Sequence, residues 1–482
     1  MMMAKEQALL KAQDEFRLLV EFLGQAGNQG LRIDEVERRL WRGLLAAGLA
    51  LLRSFVAEKG EGDVGETWEH DDQTLHRLEE TRPRRYLSIF GALEIVRSVY
   101  ALREKQRAQA PLDAQLGLPA DEFSYVLKDW LQQSCVRDSF AEAVDSLGRM
   151  LNLPLSVRSA EHMNQQMAQE VDRFRTLQPT PPAEEEGDIL VVTADGKGVP
   201  MRRPIEERVR RGVRRQKGEK ANKKQMAAVG AVYSIAPFQR TADEVIDELQ
   251  RRKRAPQRPQ PQHKRVWAEL TRGEQEEMSG KQRLFVEMAI DAHLRDAQHT
   301  KPLVCLMDGE AALWEVKNEW LSRAVGILDL FHVLERLWIV AYCFHAEGSD
   351  AAEQFVTHRL RMLLEGKVGY LIGGLRRLAT TVRGGQRERN LRAAIGYFER
   401  NRQHMRYNEY LAAGYPIGSG VAEGACRHLV KDRLERTGMR WTVTGAQAML
   451  HLRAIYLNGD WQSYQKHYIQ TEQATLYGKH AA

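Results

Sequence analysis

The sequence is poor in cysteine and has no long uninterrupted apolar run. Its four cysteines, Cys135, Cys305, Cys343 and Cys426, are scattered without C-x-x-C spacing. This pattern is typical of a reducing cytosol and disfavours a thiolate metal site. No stretch reaches the roughly 18 consecutive apolar residues that a membrane span needs. The opening residues MMMAKEQALLKAQDEF lack the apolar core and cleavage site of a secretory signal, so we expect a cytoplasmic protein without a membrane partner.

Two common site motifs are also missing. Gly414, Gly418 and Gly420 are not followed by Lys-Ser/Thr, so a nucleotide-binding P-loop is not supported. The histidines show no H-E-x-x-H or paired spacing, which disfavours zinc. We expect no small-molecule substrate.

What the sequence does have is a soluble composition and strongly clustered positive charge. It has 482 residues, 43% apolar and 28% charged, which is enough for two to four domains. The net charge is +6, yet segment 202–224 has eleven Lys/Arg against three Glu, and segment 251–265 has seven Lys/Arg and no acid. Such basic runs are often solvated loops. Their clustering just after Asp195 favours a polyanion partner, most simply nucleic acid.

Changes in pattern along the chain divide it into regions. Prolines and acids at 178–188 mark a linker, after which apolar strands alternate with helices. The predicted regions are a helical N-terminal region (1–80), a β-hairpin and helix-turn-helix-like DNA-binding region (81–178), a linker (179–188), the first part of an α/β core with basic insertions (189–344), a helical insertion (345–412), the completing helix with C-terminal helices (413–470), and a tail (471–482).

The second of these regions has the spacing of two helices joined by a short turn. Phe140, Val144, Leu147 and Leu151 share one helical face, Pro154 breaks the pattern, and a second helix is predicted from about Ser159. This arrangement is used to lay a helix in the DNA major groove, and an ordinary helical hairpin is the alternative. The candidate contacts are Arg158, His162, Asn164 and Gln165.

Two predicted strands each deliver an acid followed at once by glycine. The segment ILVVTADGKGVPM contains Asp195, and KPLVCLMDGEAALW contains Asp308. Ligands of open α/β sheets gather beyond the carboxyl ends of strands. If these strands are neighbours, their tips lie about 5 Å apart. Carboxylates that close repel one another unless cations lie between them, and hard oxygen ligands favour Mg²⁺ or Mn²⁺.

A third acid completes the predicted site. Glu423 lies in the first turn of a helix that begins after Gly418-Ser419-Gly420, with Arg427 and Lys431 on the same helical face. Three acids could hold two ions for phosphoryl transfer, with cations beside them for a phosphate backbone. Either aspartate alone could be a turn-former, and Asp291 and Glu310 are the competing acids.

Four segments match a known family: TADGKG, CLMDGE, DLFHVLERLW and GYPIGSGVAEGACRHLVKDRLERTGMRWT. Together they resemble bacterial insertion-sequence transposases of the DDE type. The resemblance is closest to the ISKra-type and ISLre-type groups, relatives of the Mutator-like transposases. It covers about 185–460 well and the N-terminal third loosely.

The resemblance implies an α/β catalytic core with an RNase H-like fold, interrupted by an all-helical insertion and preceded by a mainly helical N-terminal region. It implies Asp195, Asp308 and Glu423 as catalytic and metal-binding residues for two Mg²⁺ ions, with Mn²⁺ able to substitute. Asp329 and His332 match a D-x-x-H signature that orients DNA or supports the site, and Trp441 matches a tryptophan downstream of the glutamate.

The implied activity is cleavage and strand transfer at the ends of a mobile element. The implied partners are the terminal inverted repeats, target DNA and further copies of the chain, as a homodimer or higher oligomer in a bacterial cytoplasm at the nucleoid. Two alternatives are a DNA-binding protein without cleavage activity and an RNase H-like structure-selective nuclease. The residues expected to contact DNA are Arg202, Arg203, Arg210, Arg211, Arg214, Arg215, Lys217, Lys223, Lys224, Arg251, Arg252, Lys253, Arg254, Arg427, Lys431, Arg158 and Asn164.

Overall fold

The structure, a computed structural model, describes residues 2–27, 29–70, 73–102, 108–202, 224–251, 257–271 and 277–478. The chain divides into two units by its internal contacts. The first unit comprises Met1–Phe174 together with Asp460–Ala482, and the second comprises Arg175–Gly459. The candidate acids all belong to the second unit.

The first unit begins with two long helices, α1 (Met2–Ala26) and α2 (Ile33–Glu58), which pack against each other. Among the described residues, α2 has the length and apolar composition that a membrane span would require. Five short strands follow: β1 (Thr67–His70), β2 (Gln73–Arg77), β3 (Arg82–Ser88), β4 (Gly91–Arg97) and β5 (Tyr100–Ala101).

These strands form two small antiparallel sheets. One has the order β1-β2-β5, and the other is the pair β3–β4. The β3–β4 pair agrees with the hairpin expected around Phe90-Gly91, since Ser88 lies opposite Gly91 in the register. The β1–β2 pair lies in a stretch predicted to be mostly helical. Leu75 is the one buried residue of β2, with two exposed residues on each side. A strand this short with a single buried side chain has no clear period-two alternation, so the helical prediction was wrong here.

The rest of the first unit is helical. Its helices are α3 (Pro111–Gln115), α4 (Tyr125–Cys135), α5 (Phe140–Leu151), α6 (Val157–Met167) and, after the second unit, α19 (Trp461–Tyr477); α7 (Val171–Thr176) follows α6 along the chain. A capping box of Ser139 and Glu142 starts α5, and Asn152 in the left-handed conformation ends it. Two helices joined by a short turn are therefore present where they were predicted. The stretch 471–482, predicted as a tail, contributes its first residues to α19.

The second unit is built on a five-stranded mixed sheet. Its strands are β6 (Ile189–Pro200), β7 (Lys224–Ile235), β8 (Gln262–Leu270), β9 (Leu303–Met307) and β10 (Val325–Leu328). The order across the sheet is β10-β9-β6-β7-β8. Strands β6, β7 and β8 pair antiparallel, whereas β9 and β10 add to β6 in parallel. The fold of this unit is therefore mixed α/β.

The sequence pattern predicted that strand β6 ends at Asp195, and this prediction was wrong. The strand runs five residues further to Pro200, because β7 continues to pair with it along its whole length. Gly196 and Gly198 lie opposite Ala228 and Met226 in this register, so the two glycines are strand residues rather than a break.

Helices cover the sheet and extend into the predicted insertion. Around the sheet lie α8 (Ala242–Leu249), α9 (Gly280–Arg295), α10 (Ala311–Trp320) and α11 (Leu330–Ala341). The insertion consists of α12 (Asp350–Leu364), α13 (Val368–Ala379), α14 (Gly385–Arg400) and α15 (Tyr407–Ala412). Its side chains, such as Leu363 and Phe398, join the same buried core as Val191 and Leu306 of the sheet, so the insertion is packed onto the sheet.

The chain then returns across the sheet. The last elements of this unit are α16 (Gly420–Ala425), a π-helical turn (Cys426–Lys431), α17 (Asp432–Leu434) and α18 (Val443–Leu457). The stretch 179–188, predicted as a linker, lies inside the second unit. It is anchored there because Glu186 accepts two hydrogen bonds from Arg295, at 2.6 and 2.7 Å.

Candidate active site

The register of two parallel strands brings Asp195 next to Asp308. Ala194 of β6 lies opposite Met307 of β9, and each aspartate is the next residue along its own chain segment. Neighbouring strands are about 4.8 Å apart, so the two carboxylates leave the sheet at adjacent points. The two predicted strands are therefore neighbours, as the proposed site requires.

Backbone N–H groups hold both carboxylates in place. The Gly196 N–H donates to Asp195 Oδ1 at 2.6 Å, and the Glu310 N–H donates to Asp308 Oδ1 at 2.9 Å. The second oxygen of Asp195 accepts from the Cys426 thiol at 3.4 Å. Each acid thus has one oxygen fixed by the chain that follows it, which orients the remaining oxygens.

Glu423 approaches the same place from α16. Cys426, three residues after Glu423, contacts the Asp195 carboxylate, and α16 itself packs against β6 and β7. Ala422 and Ala425 are buried and face the core, whereas Glu423 is at the surface. The helix continues as a π-helical turn from Cys426, and such turns are often found at functional sites.

The electrostatics indicate that the acids share one environment. Partial burial raises the pKa of Asp308, and the negative charge of Asp195 raises it further. Neighbouring chain also restricts the hydration of Glu423, which raises its pKa, and the charges of Asp329 and Asp195 add to this rise. Charge on His332 opposes both shifts. The site is therefore short of positive charge, which is the condition under which a divalent cation binds.

The carboxylate of Asp329 connects the start of α11 with the start of α16, the helix that carries Glu423. This carboxylate is fully buried, starts α11 by accepting from the Phe331 N–H at 2.8 Å, and also accepts from the Ser419 N–H at 3.3 Å and from the Ser419 hydroxyl. Ser419 in turn begins α16, since its carbonyl accepts from the Glu423 N–H at 3.0 Å. Asp329 therefore holds the start of the Glu423 helix.

His332 and Trp441 have different surroundings. His332 is half-buried, with its Nδ1 atom 3.7 Å from Glu335 Oε2, and its charge acts on all three carboxyls named above, including that of Asp329. Trp441 is buried and its indole N–H donates to the Leu434 carbonyl at 3.0 Å. Its backbone N–H donates to Pro200 at 3.0 Å, so Trp441 fastens the segment after the π-helical turn to the end of β6.

The two competing acids are engaged elsewhere. Asp291 is buried on α9 and paired with Arg265 at 2.9 Å and Arg295 at 3.4 Å. Glu310 is exposed, precedes α10 and forms an ion pair with Lys281. Asp291 is thus satisfied by structural ion pairs, and the side chain of Glu310, unlike its backbone N–H, influences Asp308 only as a neighbouring charge.

Of the residues predicted to contact DNA, Asn164 is placed where it cannot do so. It is buried in the first unit, and its amide donates to Gln132 Oε1 at 2.9 Å. The buried positions of α6 are Ala160, Met163, Asn164 and Met167, so Asn164 lies on the inward stripe of the helix. Arg158 and His162 are exposed on the same helix, while Gln165 is half-buried.

Several predicted basic residues are exposed and described. Arg202, Arg251, Arg427 and Lys431 all have exposed side chains. Lys224 is exposed too and pairs with Glu435 at 2.5 Å. The remaining predicted contacts lie outside the described residues, namely Arg203, Arg210, Arg211, Arg214, Arg215, Lys217, Lys223, Arg252, Lys253 and Arg254.

Three residues at the site were missed by the sequence reasoning. Cys426 could have been found from its position three residues after Glu423, which places both over the sheet. Ser419 could have been found as the residue before the α16 helix. Tyr397, from α14 of the insertion, carries no sequence signal for its place beside Asp308, because only the tertiary packing brings it there.

Comparisons with known proteins are sparse. No family model matches the sequence, and a search of characterised proteins gives no match. Among solved structures, the chain is similar to a Drosophila P element transposase strand transfer complex, with 9% sequence identity and a TM-score of 0.23. That similarity covers 71% of this chain and 81% of the other.

Proposed function

We propose that the protein is a DNA transposase of the DDE type, which cuts DNA at the ends of an insertion sequence and joins them to target DNA. One observation carries this proposal: Asp195 and Asp308 extend from adjacent parallel strands, and the Glu423 helix packs against the Asp195 strand, with Cys426 contacting the Asp195 carboxylate. Three acids gathered in this way, next to exposed cations, fit a site for phosphoryl transfer on a polyanion.

The arrangement of the sheet supports a finer proposal for the fold. Three antiparallel strands extended by two parallel ones, with a helix returning over the central strand, are what we expect of an RNase H-like core. The helical insertion between α11 and α16 fits the long separation of Asp308 and Glu423. On the sequence motifs, we propose that the chain is related to the ISKra-type and ISLre-type groups.

Asp195, Asp308 and Glu423 would hold two Mg²⁺ ions, with Mn²⁺ able to replace them. The residues fit this role because they are hard oxygen donors, they crowd negative charge, and Glu423 is open to solvent. When bound, such ions activate the nucleophile and stabilise the leaving oxygen in phosphoryl transfer. The backbone N–H groups of Gly196 and Glu310 would keep the carboxylates correctly oriented during the reaction.

The rest of the proposed machinery positions DNA. Arg427 and Lys431 are exposed on the π-helical turn that continues from the Glu423 helix, and they would neutralise backbone phosphates of the bound DNA. The basic segments at 202–224 and 251–265 would grip more of the backbone without reading its sequence. Recognition of the terminal repeats would fall to the first unit, with Arg158 and His162 on the outward side of α6.

We also propose that the protein acts as a homodimer or higher oligomer in the bacterial cytoplasm, at the nucleoid. Joining two element ends requires two sites to be held together. Exposed apolar side chains on α2, including Leu44, Leu51 and Phe55, support a surface for self-association on the first unit. The decisive experiment for the function is Mg²⁺-dependent cleavage of labelled DNA that carries the element ends, compared between the wild type and the Asp195→Ala variant.

Mg²⁺ is expected to stabilise the protein more strongly as pH rises. The pKa values of Asp308 and Glu423 are raised in the folded protein, so these groups stabilise it below their unfolded pKa values and lose that effect as pH rises through the folded values. Deprotonation also completes the metal site. The increase in Tm caused by Mg²⁺ should therefore grow as the pH rises through the range in which these two carboxyls lose their protons.

Thermal unfolding with and without Mg²⁺ across this pH range measures the effect. Asp308→Asn is the matched control, because it keeps the shape of the side chain and removes its charge. We expect the variant to lose most of the Mg²⁺-induced increase. An equal increase in the variant, or one independent of pH, would contradict the assignment of the metal site.

Replacing Arg427 or Lys431 by alanine is expected to weaken DNA binding equally for all sequences. Each removes one phosphate contact, so the slope of log K against log salt should fall by about 1. The ion pair of Arg427 with Asp432, at 3.6 Å and exposed, contributes little to stability, so folding should be unaffected.

The salt dependence of binding to duplex DNA tests this expectation. Arg323→Ala is the control. Arg323 precedes the N-terminal end of β10, away from the carboxylates at the C-terminal ends of the parallel strands, and it pairs with Asp296. An unchanged slope in both the Arg427 and Lys431 variants would mean that DNA does not pass along this helix.

A further inference from the structure

The insertion contributes a buried phenol to the candidate active site. Tyr397 of α14 is 8% exposed, and its hydroxyl has no hydrogen-bond partner among the residues that the structure describes. Buried hydroxyls are almost always hydrogen-bonded, so an unpartnered one points to a ligand or a function. The ring packs against Gly309, the residue after Asp308, and the charges that act on the phenol include those of Asp308 and Asp329.

The glycine after Asp308 explains how the phenol comes so close. A Cβ atom on Gly309 would lie 2.8 Å from Cζ of the Tyr397 ring and 2.8 Å from Nδ2 of Asn401. Those distances are too short for any side chain, so only glycine lets α14 pack against the backbone beside Asp308. Asp308 therefore follows the end of β9, and Gly309 leaves the space in which α14 of the insertion packs.

The ring is fixed by its surroundings. Asn401, one turn later, is buried and donates from its side chain to the Tyr397 carbonyl at 3.0 Å, and the Arg336 guanidinium lies 5.1 Å from the ring centroid. Its neighbours Tyr407 and Tyr410 differ in one respect, since their hydroxyls donate to the Leu328 and Gly326 carbonyls, at 2.8 and 3.2 Å. Of these three, Tyr397 alone has a hydroxyl without a partner among the described residues, and Asp308 is among the charges that act on it.

We propose that Tyr397 is a further residue of the active site, and that its hydroxyl donates a hydrogen bond to a non-bridging oxygen of the DNA phosphate that reacts at Asp308. This inference rests on the proposed function. A phosphate brings the acceptor that the hydroxyl lacks, and a hydrogen bond to a charged oxygen is stronger than one to a neutral group. The insertion would then have a part in the chemistry, besides its place in the shared core.

Tyr397→Phe removes only the hydroxyl and tests the proposal. At saturating Mg²⁺ and DNA, single-turnover cleavage should slow by roughly 10- to 100-fold, the effect of losing a hydrogen bond to a charged group. Affinity for DNA and for Mn²⁺ should stay within about twofold, because the phenol holds neither the duplex nor the ions. The Tm should be unchanged or slightly higher, because the variant loses a buried polar atom that has no partner in the protein.

Tyr410→Phe is the matched control, as Tyr410 is also buried and its hydroxyl is already bonded to the protein. It should cut at the wild-type rate and have a lower Tm, because it leaves the Gly326 carbonyl without that bond. Tyr397→Phe is thus expected to cut slowly and keep its Tm, whereas Tyr410→Phe is expected to cut normally and have a lower Tm. This opposite pair of results is not expected if Tyr397 is only a packing residue.

Three outcomes would overturn the inference. If Tyr397→Phe cuts at the wild-type rate while Asp195→Ala does not cut, the phenol takes no part although the proposed function stands. If the slow cleavage is restored by more Mn²⁺, the hydroxyl acts on the Asp308 carboxylate rather than on the phosphate. If the wild type itself does not cut DNA, the proposed function and this inference fall together.

Discussion

Replacing Asp195 by alanine is expected to abolish strand cleavage while leaving DNA binding almost intact. The variant removes a carboxylate from the centre of the site but no cationic contact to the phosphate backbone. Cleavage of labelled end substrate should fall at least about 10³-fold, as for other residues that act as one catalytic unit. Binding to the same DNA should change by less than about twofold, because affinity is dominated by Lys and Arg contacts to phosphates.

Glu310→Ala is the informative control for this result. Glu310 is another acid close to Asp308, yet it is exposed and paired with Lys281. Its removal should change cleavage by no more than about threefold, as expected of a surface ion pair. If Asp195→Ala still cuts at the wild-type rate, the assignment of the site is wrong. If it loses binding and cleavage together, the carboxylate has a structural role instead.

The pairing of Asp195 with Asp308 could be predicted because it depends on local pattern. Both follow apolar runs that can only be buried strands, and neighbouring parallel strands bring such positions together. The continuation of β6 to Pro200 could not be predicted in the same way. Its cause is the antiparallel partner β7, which begins only at Lys224, beyond the basic segment. Glycines after an acid indicate a turn locally, and tertiary pairing overrides that preference.

The prediction that Asn164 contacts DNA was wrong for a different reason. The polar side chain and its place on a second helix suggested a groove contact. Ala160, Met163 and Met167 already define the inward stripe of α6, and Asn164 has the i, i+4 position on that stripe. Helical periodicity therefore predicts that Asn164 is buried, whereas the DNA contact was predicted from its polar side chain alone. The bond to Gln132 shows how the buried amide is satisfied.

Tyr397 marks the limit of sequence reasoning at this site. Nothing in the periodicity of α14 separates a tyrosine that packs from one that faces a carboxylate. Its position follows from the way a whole helical insertion docks onto the sheet, and from the space left by Gly309. Contacts between segments so distant along the chain are fixed by packing, which a single sequence does not encode locally.

Asp329→Ala is expected to impair both folding and cleavage, because one buried carboxylate connects two helices. The variant leaves the Phe331 and Ser419 N–H groups without their acceptor, and the Ser419 hydroxyl loses its partner as well. Losing a helix cap and a buried acceptor should lower the free energy of unfolding by about 2–3 kcal/mol. The start of the Glu423 helix would lose its anchor, so cleavage should fall by about 100-fold, as when other supporting residues are removed.

A double-mutant cycle with Ser419→Ala separates positioning from direct metal binding. If Asp329 acts through Ser419, the double variant should be barely worse than Asp329→Ala alone, both in Tm and in cleavage rate. Asp329→Asn should be intermediate, since its carbonyl oxygen can still accept from Phe331 while its amide cannot accept from the Ser419 N–H. A variant that keeps the wild-type Tm yet loses Mn²⁺ affinity would instead identify Asp329 as a metal ligand. Independent, additive effects of the two substitutions would show that the contact with Ser419 does not position Glu423.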